Sequence, residues 1–179
     1  EALKTLEAKG LVEARAKVGT RVLPQSRWNL FDRQVLAWKL ESGPPAAFVA
    51  ALQAVREPLE VQAAEAAARH REAEHVRLLH YWLNQRGVMA HQPEPFALAE
   101  FEIHRVVAEA SGNPFLRAAG AVVEFGVAVA VKARMVGDSA PPDGLAAAQA
   151  GQYEALVLAV ERGEVDAAGR VMQKLVATG

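Results

Sequence analysis

The sequence predicts an all-α protein, an antiparallel bundle of about six helices behind an N-terminal segment of different character. Three observations carry this. Of 179 residues, 37 are Ala, three are Thr and one is Ile, so the best helix former abounds while β-branched residues other than Val are scarce. From residue 46 onward, apolar residues recur at helical spacing, and Gly and Pro punctuate them into segments with short loops. The composition, 51% hydrophobic and 23% charged, is that of a folded globular chain rather than a disordered tail or a collagen-like repeat.

The elements follow in order. Residues 1–9 carry Ala2, Leu3, Leu6 and Ala8 at helical spacing and end at Gly10, a C′ glycine, so they read as the last part of a helix. Residues 11–14 and 20–23 alternate apolar and polar around a basic turn, which predicts a small β-hairpin. Asp32 is placed to cap a short helix running to about Glu41, where SGPP stops it. Six helices are then expected near 46–70, 72–86, 96–110, 114–136, 144–162 and 164–177. The first buries Phe48, Leu52, Val55, Leu59 and Ala63 and bends at Pro58, while Asn113 and Pro114 open the fourth. The expected organisation is an N-terminal piece at 1–24, a connector at 25–45 and a helical domain at 46–179.

Residues 1–39 hold eight Lys or Arg against four Asp or Glu, and the remainder twelve against seventeen. A basic head on an acidic body suits a chain whose N-terminal end approaches a polyanion. The most apolar stretch, 116–136, is interrupted by Arg117, Glu124, Lys132 and Arg134, so it reads as a core helix rather than a membrane span. With no Cys, a disulfide framework, a thiolate metal site and a Cys nucleophile are excluded, and a reducing cytoplasm is the expected compartment. Residue 1 is Glu and the opening reads as the middle of a longer chain, so an N-terminal truncation is expected.

The run EALKTLEAKGLVEARAKVGTRVLPQSRWNLFD resembles the end of the recognition helix and the wing of GntR-type winged helix-turn-helix regulators. The stretches VREPLEVQAAEAAARH, AEFEIHRVVAEASGNPFL and YEALVLAVERGEVDAA are similar to the all-helical FCD effector domain of the FadR subgroup. Trp28, Asn29, Asp32, Val35, Leu36 and Trp38 resemble the connector of regulators of galactonate and related sugar-acid operons. The resemblance implies a remnant of a winged helix-turn-helix followed by an FCD-like bundle. It also implies a repressor that acts as a homodimer, with operator DNA and a small carboxylate or sugar acid as partners. Lys4, Arg15, Lys17, Thr20 and Arg21 would then be the DNA-contacting residues, the basic wing meeting backbone phosphates. The base-reading half of the recognition helix would precede Glu1, so this chain alone is expected to bind DNA poorly.

The same resemblance places an effector site in the bundle, with Arg56, Glu60, Glu100, His104 and Tyr153 as its residues. Arg56 suits a carboxylate, because a planar guanidinium makes two parallel hydrogen bonds; an ion pair with Glu57, Glu60 or Glu100 is its structural alternative. Glu100 and His104, at i and i+4, correspond to an acid–histidine metal pair of the family, but the remaining ligand positions fall on Tyr153 and Leu175, which suit zinc or nickel badly. No cofactor is required on this reading. Glu72 and His75 make a single Glu-x-x-His, too little for a di-iron site, and His70, His75 and His80 are expected at the surface. Neither a Gly-x-Ser-x-Gly nucleophile nor a Gly-rich phosphate loop occurs, so no enzyme is expected. Two other readings stay open: a helical-bundle metalloenzyme using Glu100, His104 and Tyr153, and a purely structural dimerisation bundle.

Overall fold

The computed structural model describes residues 1–15, 17–135, 147 and 149–178. It divides into two compact units, Glu1–Pro44 and Pro45–Gly179.

In the first unit, α1 (Ala2–Ala8) leads into strands β1 (Val12–Arg15) and β2 (Gly19–Val22), and α2 (Arg33–Glu41) follows a 3₁₀ turn at Gln25–Arg27. The strands pair antiparallel with Val12 opposite Val22 and Arg15 opposite Gly19. Lys17 takes a left-handed φ of 66° in the turn. Gly10 takes φ 74°, and a Cβ there would collide with the Arg27 carbonyl, so glycine is needed twice over. Asp32 caps α2 as expected, accepting Gln34 N–H at 2.9 Å and Val35 N–H at 3.1 Å. The same carboxylate receives Lys9 Nζ at 2.6 Å, and the Asn29 amide donates to the Lys9 carbonyl at 3.0 Å. Residues 25–44 are therefore tied to the hairpin segment within one unit.

The second unit is a helical bundle: α3 (Ala46–His70), α4 (Ala73–Val88), α5 (Pro93–Ala110), α6 (Pro114–Ala118), α7 (Gly120–Met135), α8 (Ala150–Arg162) and α9 (Val165–Ala177). Its main packing pairs are α3 with α9, α4 with α5 and α8 with α9. Ala63, Ala64, Ala67 and Ala68 form the inner stripe of α3, and they pack with Ile103, Val106, Val107, Leu156, Val160, Met172 and Leu175 in the principal core. A smaller apolar cluster joins α5 to α7 through Phe96, Phe101, Val123, Val127 and Val131. No helix among the described residues is long and apolar enough to cross a membrane.

The structure departs from the sequence reading in four places. The segment expected as one helix over 114–136 is two, broken at Ala119, whose ψ of 2° leaves the helical range just before Gly120, where a break costs little. The described part of the next helix starts at Ala150, because Gln149 is left-handed at φ 58° and ties its amide to Leu175 O and Thr178 Oγ1; 144–146 and 148 lie outside the described residues. The inner face of α3 differs from the apolar stripe expected: Val55 is 43% exposed, whereas Ala63 is buried and Arg56 and Glu60, which the family resemblance placed at the effector site, point inward with it. Lastly, His75 accepts the Glu72 backbone N–H at 3.1 Å and closes a capping box, so the Glu-x-x-His spacing has a local structural cause.

Lys9, hydrogen-bonded to Asp32, holds that carboxyl below its usual 3.8. A depressed folded-state pKa contributes stability that is whole above the unfolded value and is lost as pH falls through the folded one. Lys9→Ala should therefore move the Asp32 titration up toward 3.8 and shift the loss of this contribution to higher pH, which carboxyl-carbon NMR will read directly. An unchanged midpoint would mean that the caps on Gln34 and Val35, and not Lys9, set it.

Candidate functional site

Two carboxylates are buried in the bundle, and each organises a set of cations. Glu60 lies on α3 one turn after Arg56; both side chains are almost fully enclosed. Arg56 Nε donates to Glu60 Oε1 at 2.6 Å, and its Nη1 points to Gln53 Oε1 at 3.4 Å. The other Glu60 oxygen faces His104 Nδ1 from α5 in direct contact. Burial pushes the Glu60 carboxyl up, but His104 and Arg56 outweigh that and hold it down to about 2. Glu60 is therefore an anion at neutral pH.

Glu100, one turn before His104, turns to different partners. Arg86, from the end of α4, reaches its Oε1 through Nε at 3.0 Å and Nη2 at 2.9 Å. Arg134, from the last turn of α7, forks onto the same carboxylate, with Nη2 to Oε2 at 2.7 Å and Nη1 to Oε1 at 3.2 Å. Such forked guanidinium–carboxylate pairs are among the stronger hydrogen bonds available. The Arg86 guanidinium lies between aromatic rings, 4.7 Å from the Phe96 centroid and 4.5 Å from that of Tyr153. Tyr153 then links the two halves: its ring meets Arg86, and its hydroxyl is 3.2 Å from His104 Nε2. Burial, then Glu100, raise its phenol well above 10, against the opposing pull of three arginines, so the hydroxyl keeps its proton.

All five residues expected at the effector site are thus buried in one region, but in a different pairing. Glu100 and His104 do not converge on a common point: the acid faces Arg86 and Arg134, and the imidazole faces Glu60 and Tyr153. For Arg56 the ion pair is with Glu60. The donor set does not fit a divalent metal. Both Glu100 oxygens are held by guanidiniums, both His104 nitrogens face protein groups, Leu175 packs in the apolar core, and among the described residues no cluster of three metal-binding side chains occurs. A cavity of about 20 Å³ beside Glu60 and His104, closed by Leu59, Val107, Leu116 and Met172, has room for about one water.

The sequence reading missed Arg86 and Arg134, which sit at helix ends and read as ordinary terminal cations. No residue pattern pointed to these two. Gly126, which interrupts the apolar run of α7, marks instead the close approach of Arg56; a Cβ on it would overlap Nη1, Cδ and Cζ of Arg56. In the first unit, Lys4, Arg15, Lys17, Thr20 and Arg21 are all exposed, with Arg15 Nε on Glu13 at 2.8 Å.

The architecture is thus a helical bundle that encloses a charged cluster, with a short helix and a β-hairpin before it in sequence. The FCD domain family matches residues 51–178, and the chain belongs to that family. It is 34% identical over 118 residues to the uncharacterized HTH-type transcriptional regulator YieP of Escherichia coli K12, covering 65% of this chain and 51% of that protein. Identity to the galactonate operon transcriptional repressor of the same organism is 29% over 117 residues, again 65% of this chain and 51% of the relative. The chain spans about half the length of these curated relatives. Among solved structures, it superposes on Streptococcus agalactiae GntR with a TM-score of 0.60 at 17% identity, covering 99% of this chain and 77% of that one. For E. coli McbR/YncC the TM-score is 0.64 at 13% identity, with coverages of 98% and 80%. These likenesses support the helical bundle with a wing-like hairpin. The curated relatives are regulators and not enzymes, which leaves the metalloenzyme reading without support.

Two glycine substitutions should separate site packing from helix propensity. Gly126→Ala should destabilise the protein by about 1–3 kcal/mol, because Arg56 has to leave its place against α7. Gly87→Ala, where an added Cβ meets nothing within 4 Å, should stabilise α4 by about 0.5–1 kcal/mol. Urea denaturation measures both, and a neutral Gly126→Ala would show that Arg56 is not held there.

Proposed function

We propose that this chain is the ligand-sensing part of a DNA-binding transcriptional repressor that works as a homodimer and responds to a small hydroxylated carboxylate of the sugar-acid class. The observation that carries this is the buried cluster itself. Three guanidiniums, an imidazole and a protonated phenol line the interior of an FCD bundle, together with two carboxylates that occupy them. These groups recognise an acid and its hydroxyls, and none stands as an activated nucleophile. The name of the galactonate operon repressor among the relatives supports the ligand class, and the exposed basic hairpin supports operator DNA as partner. Trp38, 36% exposed on α2, suits an interface between two copies.

The resident pairs and the 20 Å³ cavity give the reading a mechanical consequence. In the space beside Glu60 and His104 an acid larger than water finds room only if the resident groups part, so binding there and rearrangement of the bundle are one event. A ligand-free and a liganded state then differ in packing, and the ligand shifts their balance by its differential affinity. The same internal pairing also favours a second reading, a purely structural bundle whose buried charges serve only each other.

Thermal unfolding with a panel of acids decides between them. A ligand at a hundredfold excess over its Kd adds about 2.7 kcal/mol, enough to raise Tm by several degrees. Galactonate or a related aldonate should do this, and a chelator should leave Tm unchanged. A flat response to every acid would favour the structural bundle, and a large loss with chelator would restore a metal. In the full-length protein, Arg15→Ala or Lys17→Ala should weaken operator binding and reduce its salt slope by at most about one per lost phosphate contact, with sequence preference kept. Lost discrimination between operator and random DNA at unchanged total affinity would place these residues on bases instead of phosphates.

A further inference from the structure

The buried cations differ in one respect that decides which of them can receive a ligand. Arg134 stands at the rim, its side chain 17% exposed, whereas the side chains of Arg56 and Arg86 are 3% exposed. The hydrogen bonds of Arg134 to Glu100 are partly duplicated. Arg86 holds Glu100 Oε1 through two nitrogens from the sealed side, so Glu100 keeps a charged partner when Arg134 turns away. Among the described residues, Arg134 is otherwise held by its Nε on the Ala130 carbonyl at 3.2 Å, on its own helix, and by the Phe96 ring, whose centroid lies 5.9 Å from its guanidinium.

Arg56 is placed quite differently. Its guanidinium is the partner of Glu60 Oε1 and its side chain lies against Gly126, so its departure would leave Glu60 Oε1 buried without a cation. Removing one partner of an enclosed ion pair costs far more than exchanging partners at a rim, because the abandoned charge keeps its desolvation penalty. Charge points the same way. Arg86, Glu100 and Arg134 together carry one more positive than negative charge, which a single carboxylate neutralises.

Resting on the ligand class proposed above, we propose that Arg134, and not Arg56, takes the carboxylate of the ligand. It exchanges the Glu100 fork for an equivalent fork on the incoming acid while Arg86 retains Glu100. Arg134 is then the residue that sets preference for an acid over a neutral polyol. Arg56 and Glu60 form the fixed floor beneath it. The two guanidiniums on Glu100 supply the positive field at the site, in place of a metal ion that the donor set does not accommodate.

The test is calorimetric titration of the 179-residue chain with D-galactonate and, separately, with its neutral counterpart galactitol, alongside Tm of each unliganded variant. Wild type should prefer galactonate. Arg134→Gln should weaken galactonate by at least about tenfold and remove the preference over galactitol, with unliganded Tm near that of wild type. Arg134→Lys, which keeps the charge but not the fork, should fall between, and it serves as the probe should Arg134→Gln fail to fold. Arg56→Lys should lower Tm yet leave the galactonate-to-galactitol ratio unchanged. Loss of that ratio in Arg56→Lys with wild-type behaviour in both Arg134 variants overturns this assignment and leaves the sugar-acid reading intact. Absence of galactonate binding to wild type overturns both.

Discussion

Burial of ionised groups in an alanine-rich bundle is the constraint on which the rest of this structure depends. A charge removed from water is costly unless partnered, and this bundle encloses Arg56, Glu60, Arg86 and Glu100 almost completely. The solution is two sets of pairs, one centred on Glu60 and one on Glu100, drawn from four helices, α3, α4, α5 and α7. Arg56 and Glu60 fix the face of α3 that turns inward, and Glu100 and His104 fix the face of α5. Arg86 and Arg134 then position the ends of α4 and α7 relative to that face. Because each acid is shared between nitrogen groups on different helices, the register of one helix against another is set by these polar contacts as much as by apolar packing.

Small residues make this arrangement sterically possible. Ala63, Ala64, Ala67 and Ala68 leave the inner side of α3 nearly smooth, and Gly169 of α9 sits where a Cβ would collide with Glu65. Helices without large side chains between them approach closely, so the long polar side chains can bridge what remains. Gly126 performs the same service on α7, giving up its side chain so that the aliphatic stem and guanidinium of Arg56 can cross it. The abundance of alanine is therefore not simply a record of helix propensity. It sets the inter-helix spacing at which a guanidinium, a carboxylate and an imidazole span neighbouring helices.

Much of the fold was legible because its signals are local. The Asp32 cap, the Asn113–Pro114 helix start and the Gly10 stop each act within a few residues of themselves, and the structure has them where the sequence placed them. The inner face of α3 was misread because apolar periodicity favours Val55 over Arg56, while the true face is chosen by partners on α5 and α7 that no local window contains. The site shows the same division. Residue types and their family positions drew attention to Arg56, Glu60, Glu100, His104 and Tyr153, whereas Arg86 and Arg134 gain meaning only when α4 and α7 bring them to one carboxylate. Spacing also suggested that Glu100 and His104 act together. Sharing a helix face places two side chains near each other, but which way each turns is settled by the stronger partner in reach, and Arg86 with Arg134 outcompetes an imidazole for Glu100.

The role of each His104 nitrogen follows from the group it faces. Glu60, held ionised by Arg56 and His104, can only accept hydrogen bonds, so the His104 Nδ1 in contact with it must carry a proton. That leaves Nε2 to face Tyr153, whose phenol keeps its own proton because burial makes the phenolate costly. Tyr153, His104 and Glu60 thus stand in one chain of contacts, with an imidazole nitrogen at each link. The chain orients both rings and leaves neither His104 nitrogen open to a metal. Any ligand that engages His104 must first take the place of Tyr153 or Glu60 in this chain. On the proposed sugar-acid reading, recognition at this end would be an exchange of hydrogen bonds within a fixed frame, as at the Glu100 end, and selectivity would come from how well the ligand's hydroxyls reproduce the geometry of the groups they displace.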